Sequence, residues 1–164
     1  MTPFNGSVAD LARLGTPALI PLAGTGKTPG GFAALTGSHD GKLTVSPKIR
    51  GRSTFGSVEL DAIRKGRSYA VWRNSAHIPV NAALGKNGTG IIKLQVMLQV
   101  AGYSSVAVTG SYDPATARAV SEFQGSRGLR RTGTLDPVTL IHFYQALSGP
   151  AQPGLKGLHK AGDQ

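Results

Sequence analysis

The chain has 164 residues, no cysteine, and 18 Lys/Arg against 8 Asp/Glu, a formal charge of +10 at pH 7. Disulfides and thiolate metal sites are therefore excluded, and no run of about 18 apolar residues is present to cross a bilayer. Asp10, with no basic run before the first apolar stretch, reads as something other than a secretory leader, so any export signal or anchor is expected outside these residues. The charge is uneven: residues 1–87 carry 11 Lys/Arg against 4 Asp/Glu, and residues 88–148 carry 5 against 3. A field of that sign keeps a protein soluble. It also attracts polyanions, whether nucleic acid, anionic lipid headgroups or carboxylate-rich wall polymers.

In chain order, SVADLARL (7–14) predicts a short helix capped by Ser7. PALIPLA (17–23) and GFAALTG (31–37) predict buried strands, and KLTVS (42–46) and STFGS (53–57) short ones. SVELDAIRKG (57–66) predicts a helix with Ser57 as cap and Gly66 as stop, followed by a strand RSYAVWR (67–73). The composition then turns to Gly, Asn and Pro without periodicity, which predicts a linker over 76–90.

Beyond it the period becomes 3.6. Ile91, Leu94, Leu98 and Ala101 form one apolar stripe, Ala117, Val120 and Phe123 a second, and Leu140, Ile141, Tyr144 and Leu147 a third. Three short helices with one apolar face each must bury those faces against one another. The fold class expected is thus α+β: a small antiparallel sheet with one or two helices over 1–75, then an all-α three-helix domain over 91–148. Residues 149–164, rich in Gly and Pro, read as a disordered tail.

One phrase is written twice. TGSYDPAT (109–116) returns as TGTLDPVT (132–139), each just ahead of an apolar stripe. Asp113 and Asp136 suit helix N-caps, because a carboxylate accepts the free amides of a first turn. The proline that follows each suits the first helical position.

The wider pattern is more specific. Residues 91–147 read I-x-x-LQ-x-x-L-x-x-x-GY, then V-x-G-x-x-x-x-x-T-x-x-AV-x-x-FQ-x-x-x-GL, then TG-x-x-x-x-x-T. This resembles the three-helix peptidoglycan-binding domain found on many cell-wall enzymes, with Asp-Pro standing where that family often has a glycine-bearing turn. The resemblance implies non-catalytic binding of the peptide-bearing glycan, with no cofactor. Stem peptides carry free carboxylates that arginines could pair, so Arg127 and Arg130, bracketing the loop after the second stripe, are the expected ligand contacts. Tyr103 and Tyr112 offer flat faces. Gln95 and Gln124 adjoin the apolar stripes and are candidate contacts too; the alternative for both is a satisfied helix–helix or helix–loop hydrogen bond.

The front half offers two further motifs. LAGTGKTPG (22–30) contains GKT after a strand, but Pro21 stands where a phosphate loop needs its first glycine, and no helix follows. The order of elements over 17–73 resembles the second half of a papain-like, bacteriocin-processing peptidase. That family needs Cys, His and Asp. Here there is no Cys, Gly31 stands for the His, and Ser46 for the Asp before proline. The four His residues lack zinc-site spacing. No enzyme activity is expected.

Degenerate peptidase followed by wall-binding domain resembles the C-terminal periplasmic region of general secretion pathway protein A-like proteins. That implies a periplasmic, inner-membrane-anchored protein with peptidoglycan and a secretion-system protein as partners, and no membrane contact from these residues themselves. The alternative is the wall-targeting fragment of a peptidoglycan hydrolase. A nucleic-acid-binding protein fits the charge but lacks a stacking platform, so no nucleic acid partner is expected.

Overall fold

The computed structural model describes residues 1–24, 30–147 and 154–155. It divides into two compact units, 1–72 with 152–164, and 73–151. The GKT loop lies outside the described residues, and so does the expected tail apart from Gly154 and Leu155.

The first unit is a six-stranded antiparallel sheet in the order β1-β6-β2-β3-β4-β5. Its strands are β1 (Thr2–Phe4), β2 (Ala18–Pro21), β3 (Phe32–His39), β4 (Lys42–Ile49), β5 (Arg52–Gly56) and β6 (Ser68–Ala70). Two helices, α1 (Val8–Arg13) and α2 (Ser57–Ile63), complete it. Alternation places Ala33 and Leu35 of β3, Leu43 and Val45 of β4 and Phe55 of β5 in the core, with Val8, Leu11 and Leu60 from the helices. The start of α1 is held from two sides. Ser7 and Asp10 form a capping box. Both Asp61 carboxylate oxygens accept the Val8 amide, at 3.1 and 3.0 Å, so α2 caps α1. Leu155 is buried and donates its amide to Gly15 O at 3.0 Å.

Strand β1 escapes the sequence reading. Three residues carry no measurable alternation, and Pro3 argues against a strand; it is admitted because β1 is an edge, paired only with β6. The cap of α2 is Gly56 rather than Ser57, with Glu59 reaching back to the Gly56 amide at 2.8 Å. That helix ends at Ile63, before the expected Gly66.

The second unit holds α3 (Thr89–Val100), α4 (Pro114–Ser126) and α5 (Pro137–Leu147). Its core is Ile91, Leu94 and Leu98 of α3, Ala119, Val120 and Phe123 of α4, and Leu140, Ile141, Phe143 and Tyr144 of α5. Residues 76–90, expected as a linker, are packed into this unit. Ile78 and Ala82 are buried, Ala82 bridges Leu135, and Asn87 bridges Ser111. The Asn74 side chain closes a turn by accepting from the Ile78 amide at 3.0 Å, and it also accepts from Tyr144 Oη at 2.6 Å. Turn residues here mark a loop with its own buried anchors rather than a spacer.

Candidate functional site

The repeated phrase builds a repeated structure. In its first copy Gln95 is fully buried. Its Nε2 donates to Thr109 Oγ1 (3.2 Å), Ser111 O (2.9 Å) and Thr116 Oγ1 (3.1 Å). Its Oε1 accepts the amides of Thr109 (3.0 Å) and Gly110 (2.9 Å). In the second copy Gln124, equally buried, donates to Thr132 Oγ1 (3.0 Å), Thr134 O (2.9 Å) and Thr139 Oγ1 (3.0 Å). It accepts the amides of Thr132 (2.8 Å) and Gly133 (3.0 Å).

The helix ends repeat as well. Gly102 and Gly128 take φ +98 and +68. The next amides, of Tyr103 and Leu129, return to Leu98 O (2.9 Å) and Gln124 O (2.8 Å), closing each helix with a left-handed glycine. Asp113 accepts the Thr116 amide and Asp136 the Thr139 amide, both at 2.7 Å. Gly110 and Gly133 each have positive φ, 76 and 64, which a side-chain-bearing residue resists.

This corrects the expectation that Gln95 and Gln124 touch a ligand. Every polar atom of both is used within the unit, so the helix–loop alternative is the one the structure takes. Tyr112 is corrected too. It is fully buried and its hydroxyl donates to Gly133 O at 2.9 Å, tying the first copy of the phrase to the second. Burial pushes its pKa well up.

The remaining candidates gather differently. Phe123 is the centre. Its ring stacks on Phe143 at 3.7 Å between centroids. Tyr103 meets it edge-on at 6.5 Å and 74°. The Arg127 guanidinium lies 5.4 Å from the same centroid, within reach of a cation–π contact. Arg127 follows α4 as its C-cap, where the helix dipole favours a cation, and it is exposed. It makes no ion pair among the described residues.

His142 of α5 lies close enough for the Arg127 charge to be felt. Burial first, and that charge second, lower its pKa, while Asp136 opposes them. Arg130 is exposed, and no contact places it on this cluster. Arg131 instead packs over α4 at Gly125, where a Cβ would have to displace its guanidinium. The structure thus joins Tyr103 to Arg127 through Phe123. Phe123 and His142 are the members sequence reasoning did not single out. Phe123 was legible only as core, and His142 only as one of four scattered histidines.

The half-buried Tyr103 ring and a guanidinium with no ion pair among the described residues both lie against the buried Phe123. A guanidinium so placed can pair a carboxylate, and among the described residues no group of three or more His, Asp or Glu could hold a metal ion.

Three comparisons with known proteins bear on the chain. A zinc D-Ala-D-Ala carboxypeptidase of Streptomyces albus G is 31% identical over 77 residues, 44% of this chain and 30% of that protein. Among solved structures, a periplasmic domain of the EpsAB fusion protein of the Vibrio vulnificus type II secretion system is similar over 82% of this chain and 59% of its own, at 18% identity and a TM-score of 0.47. A peptidoglycan-binding protein of Clostridioides difficile, in complex with glutamine hydroxamate, is similar over 74% of this chain and 64% of its own, at 20% identity and a TM-score of 0.36. The chain spans less than two thirds of each of these proteins. Residues 87–142, which hold both Gln clamps and the Phe123 cluster, match the model of the family described as "Putative peptidoglycan binding domain".

Proposed function

We propose that this chain binds peptidoglycan without chemistry on it, through the surface where Tyr103 and Arg127 meet on Phe123. Arg130, three residues on and exposed, is a second cation that a carboxylate at Arg127 could reach. The observation that supports the reading is Arg127 itself: an exposed guanidinium, held by a ring and a helix end, with no carboxylate of its own among the described residues. Stem-peptide carboxylates are the complement such a group seeks.

The test is co-sedimentation of the whole chain with purified sacculi, for the parent and Arg127→Ala, at physiological and at 1 M salt. At 1 M the screening length falls to about 3 Å, so attraction by the bulk positive charge is removed. Binding that persists at high salt and weakens about tenfold in Arg127→Ala supports the surface. Binding that disappears with salt and ignores Arg127 overturns it.

A finer reading rests on the order of halves that the sequence resemblance implies, a degenerate peptidase-like unit before a wall-binding one, as in general secretion pathway protein A-like proteins. It assigns the chain to the periplasm, in a protein anchored in the inner membrane that helps secretion machinery pass the wall. No described helix is long and apolar enough to cross a membrane, so the anchor would lie elsewhere. The carboxypeptidase relative favours a second reading, the targeting part of a wall hydrolase. Gene neighbourhood separates the two: secretion genes against wall-turnover genes.

A further inference from the structure

The first unit has a cavity of about 640 Å³ that the wall-binding reading does not use. It is lined by Leu22 beyond β2, Ile49 and Arg50 at the β4–β5 turn, Phe55 of β5, and Glu59 and Ile63 of α2. Its volume falls within the range of small-ligand sites. The floor is apolar and the rim is charged.

The rim charges are not equivalent. Glu59 is spent: it accepts the Gly56 amide at 2.8 Å and Arg52 at 3.2 Å, and those contacts hold its carboxyl below the usual range. Arg52 is spent as well, on Glu59, on Thr54 O at 3.3 Å and on the Phe55 face at 4.6 Å. Arg50 has no hydrogen bond or ion pair among the described residues. The cavity therefore offers an aliphatic floor and one unpaired cation.

The backbone at Arg50 adds a second observation. The tight turns that join β3 to β4 and β4 to β5 are built alike. Asp40-Gly41 joins β3 to β4 with φ 47 and 71, and Arg50-Gly51 joins β4 to β5 with φ 49 and 80. Two-residue loops of this kind favour Asn or Asp at the first position, where φ is positive. Asp40 obeys that preference. Arg50 does not, so a poorer turn residue stands where its charge reaches the cavity. Strained positions of this kind gather at ligand sites.

We propose that this cavity binds the free carboxyl end of a peptide whose last residue is aliphatic, with Arg50 meeting the carboxylate and the floor of Leu22, Ile49, Phe55 and Ile63 taking the side chain. An acyl chain is a poorer fit, because Arg50, Arg52 and Glu59 are exposed and the cavity is an open recess rather than a closed tunnel. The site belongs to the first unit, and the argument for it does not rest on the Tyr103–Arg127 surface.

The experiment titrates the whole chain with N-acetyl-Ala-Leu, with its C-terminal amide and with octanoate, by calorimetry and by amide chemical-shift mapping. The acid is expected to bind and to shift Leu22, Ile49 and Ile63, and the amide to bind at least tenfold more weakly. Arg50→Asn is expected to lose at least tenfold in affinity while its thermal midpoint is unchanged or raised, since Asn suits the turn better. Ala62→Trp, at an exposed position of α2 on the cavity wall, should fill the recess and abolish binding in a folded protein. The proposal is overturned if acid and amide bind alike, if Arg50→Asn binds like the parent, if octanoate binds and the peptide does not, or if no shifts appear at millimolar peptide.

Discussion

Gln95 and Gln124, 29 positions apart in sequence, hold their loops with matching partners: each Nε2 shares its two hydrogens among two threonine hydroxyls and a carbonyl, each Oε1 accepts two backbone amides, and Gln124 Oε1 also faces the Thr132 hydroxyl. Each fixes a Thr-Gly turn to the helix before it and to the Thr that opens the helix after it. The doubled phrase is the visible half of this device, and the glutamine is the other half. A carboxylate cannot replace Nε2, because Ser111 O and Thr134 O can only accept, and a charge would be buried besides. Gln95→Glu and Gln124→Glu should each destabilise the unit by about 2–5 kcal/mol, and by similar amounts. Chemical denaturation of both variants is the check. A cost under about 0.5 kcal/mol for either would mean the clamp is not what holds its loop.

The packed segment before α3 predicts where the second unit can be cut. A fragment of residues 73–147 keeps Ile78 and Ala82 in the core and Asn74 on Tyr144; one of residues 88–147 loses all three. Burying Ile78 alone contributes about 1.5–3 kcal/mol, and the buried Tyr144 hydroxyl would lose its 2.6 Å partner as well. The longer fragment should melt cooperatively and the shorter should not, by circular dichroism. Equal midpoints would restore residues 76–90 to a mere tether.

Asp113 links the caps to pH. The Thr116 amide, and then the Thr116 hydroxyl, hold its carboxyl below the ordinary value of 3.8. Its folded pKa is lower than its unfolded one, so its contribution is complete above the unfolded value and is lost as pH falls through the folded value. Asp113→Ala should cost about 1 kcal/mol at pH 7, and the difference from the parent should shrink as pH falls below the ordinary value of 3.8. A pH-independent difference would assign the loss to something other than the ionised cap.

What the sequence made legible were the features with local causes. Asp-Pro marked the starts of α4 and α5 because capping is decided within four residues, and the strands β2 to β5 showed because each had enough residues to alternate. The misses had non-local causes. β1 exists only because β6 is there to pair with it. The 76–90 segment carries turn residues whose burial depends on Leu135, some 50 positions later. Phe143 went unlisted among the core positions because α5 buries Leu140, Ile141, Phe143 and Tyr144 together, a face wider than one stripe. Gln95 and Gln124 left two readings open, ligand contact or internal hydrogen bond, because polarity beside an apolar stripe does not show its own partners. Tyr103 and Arg127 were named separately; only the position of Phe123 shows that both lie against the same ring.

His142 supplies a reporter for that surface. Burial is the larger cause of its lowered pKa and the Arg127 charge the second, so the imidazole is neutral at pH 7 and titrates below its ordinary 6.5. The unfolded chain takes up this proton first, so stability falls as pH drops from about 6.5 to the folded value. Arg127→Gln should raise the His142 pKa part of the way and leave the burial share in place. A wall carboxylate seated on Arg127 should act in the same direction, since it cancels the charge His142 feels. The measurement is the imidazole proton titration by NMR, for the whole chain alone, with a soluble stem-peptide fragment, and for Arg127→Gln. An upward shift with the fragment that is absent in Arg127→Gln locates the ligand at the Tyr103–Arg127 surface. A fragment that binds without moving His142 binds somewhere other than the Tyr103–Arg127 surface.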